Sequence, residues 1–441
     1  VRDKEYVIIK DPIHGYIKAY KHEKCIIDSP AFQRLRRLKQ LPASHFIYPS
    51  ALHSRFAHSL GVMHVAGEFA DHLYGSLVKD PDEKFRIHAI ARLIGLLHDI
   101  GHGPFSHTFE DHILVKYHTN HEILGSKIIK EDPDLSSCFD VIEKELGVTA
   151  EDMGKMIEAP SPETWPLTSQ ISDGVTERSL YYIIKGPYSA DIIDYLLRDS
   201  YFTGAKYGIG LDWQRLAHNS KIIDDKIVLE YKAKDVLDHL LIARFFMFKT
   251  VYFHKTSRAF DKITGKLLEK ADPVLNFKEV IEDIEKYIQL DDESILGHPE
   301  VRKIEEAKYI LNRVVPYKLI YESLQPIEKN LDAFLKFSKR VVEHAVLDQL
   351  KTAGIDADEE AVFVDTPRLP TNPMFEETEV RLLMPNGKIE VKPVRETAVG
   401  LMPREIAFFR IYIHKKYANY ENIVRSYVTS VFEGKELRSF Y

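Results

Sequence analysis

The chain has 441 residues, a formal net charge of −7, 44% hydrophobic and 29% charged residues. That profile describes a folded protein with a sizeable core rather than a disordered chain, and its acidic balance gives no support to general polyanion binding. No run approaches the ~18 apolar residues of a membrane-spanning helix, the start is charged rather than apolar, and two cysteines cannot build a disulfide framework or a multi-thiolate zinc site. The expectation is a cytoplasmic protein that does not engage a membrane.

Most of the first 350 residues reads as helix. Ser29-Pro30 is a cap and first-turn pair that predicts a helix over Ala31–Leu41, with Phe32, Leu35, Leu38 and Leu41 at helical spacing. Further helical runs are expected over 57–78, 86–100, 121–130, 189–200, 234–253, 276–288, 300–313 and 325–352. Gly and Pro clusters at 101–104, 160–166 and 204–210 punctuate them. Residues 131–180, short and Pro-interrupted, read as a lobe over the N-terminal part. The composition then changes near 355. Ala361–Val364, Glu379–Met384 and Lys388–Val394 read as strands, with Asn386-Gly387 as a two-residue hairpin turn. Ile406–Val431 reads as strand then helix. The fold class is mainly α, with a helical domain over 1–354 and a small α+β unit over 355–441 that suits packing or oligomerisation better than a second activity.

Histidine is the anomaly. Fourteen of 20 fall within residues 1–121, a region close to charge balance while the remainder is acidic. Such a region suits a metal site that handles an anionic substrate. His98-Asp99 ends the apolar run Ile90–Leu97 and is followed by Gly101-His102-Gly103-Pro104. Adjacent His and Asp at a helix end can give one metal ion two ligands. Arg55–Gly61 opens a second helix and Ser189–Asp199 a third, on which Asp191 and Asp194 share a face at i, i+3. The same two residues also suit a helix start on charge grounds alone.

The set His58, His98-Asp99 and Asp191 resembles the H…HD…D signature of the HD-domain metal-dependent phosphohydrolases. Asp11–Gly15 (DPIHG), Phe32–Arg36 (FQRLR), Arg55–Val62 (RFAHSLGV), His98–His107 (HDIGHGPFSH) and Asp194–Asp199 (DYLLRD) are similar to the dNTP triphosphohydrolase branch, over about residues 5–260. No SAM segment is visible, so the chain resembles that branch's shorter bacterial type.

The resemblance implies that His58, His98, Asp99 and Asp191 hold a divalent metal (Mn, Fe, Mg, Zn or Ni), and that water attacks the α-phosphorus to release deoxynucleoside and triphosphate. It implies His121 as general acid oriented by Glu110, with His102 and His107 on phosphate oxygens or as the alternative acid. Arg55 would contact phosphate, Gln40 and Asp199 the 3′-hydroxyl, and Leu41 and Tyr195 the sugar face. The branch usually carries a cation directly after the last metal-binding Asp. Here that residue is Ile192, and Lys249, His254 and Arg258 are the candidates to compensate. Asp28, Gln33 and Arg36 match positions that read a guanine nucleotide between subunits, which implies GTP or dGTP activation of a homo-oligomer, with a tetramer favoured. Asp28 as a helix cap and Arg36 as a surface charge are the plainer readings. Two other functions stay open: an HD phosphatase or phosphodiesterase on another nucleotide, and a nucleotide-sensing or nucleic-acid-binding protein without turnover, for which the run Arg34, Arg36, Arg37 and Lys39 is the only hint and a solvated helix face the plainer reading.

Overall fold

The computed structural model describes residues 5–326, 331–370, 379–393 and 405–432. It opens on a hairpin that the sequence does not announce. β1 (Tyr6–Asp11) and β2 (Gly15–Tyr20) pair antiparallel, with Tyr6 opposite Tyr20 and Asp11 opposite Gly15. α1 (Lys21–Asp28) follows, then α2 (Pro30–Gln33), where Ser29 Oγ accepts the Phe32 N–H at 3.3 Å as a Ser-Pro start predicts. The expected continuation of this helix to Leu41 does not form. Residues 34–37 tighten into a 3-10 turn instead. The cause is Arg34, which is fully buried and donates to the carbonyls of Leu290, Ile100 and His102 at 2.9, 3.2 and 2.5 Å. Beyond it, Gln40 N–H donates to His53 C=O and Arg55 N–H to Leu38 C=O, both at 3.0 Å. An extended segment therefore enters the site where a helix was expected.

α3 (Arg55–Tyr74) and α4 (Pro81–Leu97) form the central pair, and α3 and the part of α4 from Ile87 on are buried around nearly their whole circumference, as core helices are. α5 (His107–Phe109), a π turn over Glu110–Leu114 and α6 (His121–Glu131) wrap this pair. The region 131–180 is more regular than a Pro-interrupted lobe. It holds α7 (Pro133–Leu146), α8 (Ala150–Glu158) and the small pair β3 (Gln170–Ser172) and β4 (Val175–Thr176). α9 (Tyr181–Lys185), α10 (Ala190–Thr203), α11 (Trp213–His218), α12 (Lys234–Met247) and α13 (Lys255–Leu275) complete the body. The run expected over 276–288 is two short helices, Phe277–Glu282 and Ile284–Tyr287, while the long helix lies just before it in α13.

Strand pairing crosses the boundary expected at 354/355. β7 (Tyr317–Pro326) pairs with β12 (Glu405–His414), which also pairs with β8 (Val362–Asp365) and β9 (Arg368–Pro370). The helix Leu331–Thr352 packs Val346, Leu347 and Leu350 into the same cluster as Val364, Ile411 and Val424. The start of the run expected over 325–352 thus belongs to a strand, because its edge is satisfied by β12. The hairpin β10 (Glu379–Leu383) and β11 (Ile389–Pro393) joins β5 (Ser220–Ile223) and β6 (Lys226–Glu230) in a second sheet, β10 running parallel to β6. Its loop has three residues rather than two, since Met384 N–H donates to Lys388 C=O. Val394 lies outside the described residues.

Cys25 and Cys138 form a disulfide between α1 and α7. Two cysteines are too few for a framework but enough for one bridge. Among the described residues no helix is long and apolar enough to cross a membrane.

Candidate active site

Three elements deliver four ligand-type side chains to one point. α3 carries His58 in its first turn, the turn after α4 carries His98-Asp99, and α10 carries Asp191 in its first turn. Ligand atoms of His58, His98 and Asp99 all lie within 4.8 Å of one another. Asp191 Oδ1 stands 3.0 Å from His58 Nε2 and 3.7 Å from His98 Nε2. The donor set fits a divalent metal for a further reason. His98 donates Nδ1–H to Gly95 C=O at 2.8 Å, and its buried Nε2 makes no hydrogen bond while facing Asp99 Oδ1 at 3.3 Å. A buried ring nitrogen without a hydrogen bond is costly unless something binds it. Two imidazoles and two carboxylates do not by themselves choose among Mn, Fe, Zn, Ni or Mg.

The charges lock together. Burial works against a cationic His58, but its bonds to Asp191 and Asp194 overcome that and push it up to about 10. Burial would raise Asp99, yet His98, Arg55 and His102 hold it well below the usual carboxylate range. His58 and His98 do the same for Asp191. Arg55 is itself buried, donating Nε–H to Ser106 Oγ at 2.9 Å and Nη1–H to Asp99. It therefore fixes a ligand-type carboxylate as well as lining the cavity.

Beside this point lies a ring of histidines. His121 donates Nδ1–H to Glu110 Oε1 at 2.7 Å, and its backbone N–H reaches the same oxygen at 3.2 Å. Burial would raise Glu110, but His107 and His121 hold it far below its ordinary range. His102 stacks on His121 with centroids 4.0 Å apart. Burial first, then Arg55 and His121, keep His102 well below the ordinary histidine value, so it is neutral near pH 7. The loop carrying these groups is strained. Phe105 and Ser106 have φ of 56° and 54°, unusual for non-glycine residues. Phe105 N–H to Asp292 Oδ1 at 2.8 Å and the Arg55–Ser106 bond hold them there. Glu110 itself starts the π turn, a distortion common at functional sites.

A cavity of about 450 Å³ joins these groups, within the usual range for small-molecule sites. Gln40, Arg55, His58, His98, Asp99, His102, His107, His121, Asp191 and Tyr195 all line it. So do Met156, Ile157 and Trp165, which bring the region 131–180 to the site. Ile192, the apolar residue directly after Asp191, lines it too.

Five expected residues are placed elsewhere. Leu41 is buried in the core beside Gln40 but outside the cavity lining. Asp199 is buried, accepting from His53 Nε2 at 2.7 Å and Tyr252 Oη at 2.6 Å. Arg258 is held by Asp365 of β8 at 2.8 Å, because α13 faces the C-terminal sheet there. Lys249 and His254 also lie outside the lining. Among the residues sequence reasoning passed over, Arg244 donates Nε–H to Tyr195 Oη at 3.1 Å and so places a cation behind a cavity residue. His14 and Asp194 join the site from behind His58; the i, i+3 pattern on α10 marked Asp194 and the DPIHG block marked His14.

The candidate nucleotide-activator residues gather near the end of α1. Gln33 donates to Ile27 C=O at 2.6 Å and accepts Arg36 Nε–H at 2.8 Å. Arg36 also stacks 3.6 Å over Phe56, and exposed Asp28 pairs with Lys24.

A helical body with a His/Asp cluster able to hold a metal ion at the ends of three helices is the arrangement of metal-dependent hydrolases. The match is to the HD domain over residues 55–166 and the HD associated region over 211–432. The chain belongs to the HD-domain phosphohydrolase family. It is 33% identical over 336 residues to a deoxynucleoside triphosphate triphosphohydrolase SAMHD1 homolog of Dictyostelium discoideum, covering 73% of this chain and 61% of that one. The chain thus spans about three fifths of that relative's length. It is 30% identical to an uncharacterized protein of Methanocaldococcus jannaschii, over 92% of this chain and 78% of the other. A hypothetical protein from Aquifex aeolicus has a similar structure, with TM-score 0.72, 25% identity, and coverage of 96% and 100%.

Proposed function

We propose that the protein hydrolyses deoxynucleoside triphosphates to deoxynucleoside and triphosphate. The observation that carries this reading is one cavity lined at once by the His58/His98/Asp99/Asp191 set, the His102/His107/His121 ring and the pair Gln40 and Tyr195. His58, His98, Asp99 and Asp191 would hold the divalent metal, which when bound polarises a phosphoryl oxygen and acidifies its water. In the reaction, water's oxygen bonds to the α-phosphorus, its proton passing to solvent, and the P–O5′ bond breaks. His121 gives the 5′ oxygen its proton, and Glu110 stabilises the imidazolium beforehand through Nδ1. Paired through Nδ1 with Glu110, His121 takes the acid role, with His107 or His102 the alternative. His102 and His107 offer N–H donors to phosphate oxygens. Arg55 adds positive charge there while holding Asp99. Gln40 and Tyr195 meet the sugar.

Ile192 supports a second reading, an HD phosphatase acting on another nucleotide, since it removes a cation from the cavity wall. Lys185, which lines the cavity, and Arg244 behind Tyr195 are the cations that offset this in the first reading.

A homotetramer activated by GTP or dGTP near Asp28, Gln33 and Arg36 belongs to the same proposal. A carboxylate can accept both N1–H and N2–H of guanine, and a ligand bridging copies couples assembly to activity. So does a cytoplasmic location, tested against the Cys25–Cys138 bond by thiol titration of protein taken from cytosol. The functional test incubates protein with Mn²⁺ and each dNTP, with and without GTP, and identifies products by chromatography. Deoxynucleoside with intact triphosphate is expected. Release of only phosphate or pyrophosphate favours the second reading. Equal rates with and without GTP, in wild type and Asp28→Ala alike, remove the activator while leaving the hydrolase.

A further inference from the structure

Asp194 lies one turn beyond Asp191 on α10 and is fully buried. Its carboxylate accepts four hydrogen bonds, the full capacity of the group. Oδ1 receives His14 Nε2–H at 2.6 Å and Arg198 Nη2–H at 3.0 Å. Oδ2 receives His58 Nδ1–H at 2.7 Å and Arg198 Nε–H at 2.9 Å. One donor, then, is a metal-ligand candidate and another comes from the N-terminal hairpin.

The hairpin turn is built to present that donor. Asp11 Oδ1 accepts the backbone N–H groups of Ile13 and His14, both at 2.9 Å, and Gly15 turns the chain at φ +76°. Asp11 Oδ2 accepts Arg198 Nη1–H at 2.9 Å. The turn is thereby stitched to α10 twice, through Arg198 and through His14, whose side chain is 2% exposed. α3 makes room for this arrangement at one position. A Cβ on Gly61 would stand 1.8 Å from Asp194 Oδ1 and 2.5 Å from Arg198 Nη2, so any side chain there displaces the carboxylate.

His58 is where the network meets the site. With Nδ1–H committed to Asp194, a His58 that gives up its other proton to bind a metal does so at Nε2, the nitrogen that faces Asp191 and Asp99. We propose that the Asp11–Gly15 turn is a positioning device for the metal centre, in which His14, acting through Asp194, fixes the tautomer and ring plane of His58. The proposal rests on the reading of His58 as a metal ligand and not on the identity of the substrate. It gives the DPIHG block and Gly61 one shared purpose, although they are far apart in sequence and neither the turn nor Gly61 lines the cavity.

The test uses the full chain, stripped of metal, titrated with Mn²⁺ alone, with free Mn²⁺ read by electron paramagnetic resonance. His14→Ala is expected to weaken Mn²⁺ binding by ~10-fold or more, the lower end of the range for loss of a partner behind a ligand. His14→Gln puts an amide N–H close to where Nε2 stands and is expected to recover most of that loss. Melting temperature is followed separately. A His14→Ala protein that melts earlier but binds Mn²⁺ like wild type overturns the proposal, because His14 is then only a strut. Equal weakening in Ala and Gln also overturns it. Where His14→Ala does not fold, Asp194→Asn is titrated instead. It keeps the shape but only one acceptor oxygen, and unchanged Mn²⁺ binding is again fatal. Failure of the functional reading looks different: the His14 effect on Mn²⁺ persists while no dNTP is hydrolysed. Wild type that binds no Mn²⁺ removes the ligand assignment and the proposal with it.

Discussion

Between Asp11 and Asp199 the buried groups Asp11, Arg55, His58, Asp99, Asp194 and Arg198 are linked around one point, and most sit at helix ends or in tight turns. Between Tyr317 and Phe432 the polar ties are spread along a sheet, where Asp365, Arg410 and Tyr412 tie β8 and β12 back to α13 and the turn before it. The first region concentrates unfavourable features: desolvated charge, positive φ at Phe105 and Ser106, and a His98 Nε2 without a hydrogen bond. The second carries apolar clusters and ordinary strand pairing. Chemistry is therefore expected to be sensitive to single atoms in the first region, and stability to be the main quantity that moves in the second.

The largest effect should come from His98→Ala with Asp99→Ala, which removes two ligand-type groups from one turn. Metal analysis is expected to find no bound ion and assays no turnover; full occupancy would break the assignment. His121→Ala comes next. Its turnover should fall by roughly 100-fold or more, the scale of a lost general acid, with Mn²⁺ binding intact. An unchanged rate would move the acid role to His107 or His102. Asp365→Ala should be an order of magnitude gentler on activity yet cost about 2 kcal/mol in unfolding, since it strips charged hydrogen bonds from Arg258. Denaturant melts read this directly, and a loss of Mn²⁺ affinity in that variant would erase the contrast between the regions.

The smallest effect concerns Asp261, which faces Thr108, Arg258, Asp365 and Asp111 where the two regions meet. Burial outweighs Arg258 and raises its carboxyl from 3.8 to about 6. The folded state therefore holds a proton that the unfolded state releases near pH 4, and stability contributed below that pH is lost as pH rises through 6. Asp261→Asn should gain stability relative to wild type between pH 5 and pH 7.5. A constant difference across that interval would contradict the shift.

What could be read from sequence follows the same division. His58, His98, Asp99 and Asp191 were visible because each sits in a short block with a helix start or a Gly-Pro turn beside it. Gln40 was visible, but the helix expected to carry it was not the real carrier. Arg34 breaks that helix through carbonyls about 65 and 255 residues away, and nothing local announces such partners. Arg258 looks like a phosphate ligand on a basic helix edge until β8 arrives with Asp365. The β7–β12 pairing joins residues about 90 apart, so the boundary at 355 followed a change in composition rather than the packing. The hairpin Glu379–Pro393, whose turn residues lie next to each other in sequence, was foreseen.

The bridge between Cys25 and Cys138 closes a loop with a sequence separation of 113. Three of the four ligand-type residues, His58, His98 and Asp99, ride on this closed ring, and Asp191 stands outside it. A single nick at the exposed Lys79–Asp80 linker would part His58 from the other two along the chain and still leave one covalent molecule. Only after reduction would α3 and α4 depend on their packing alone to keep the halves of the centre together.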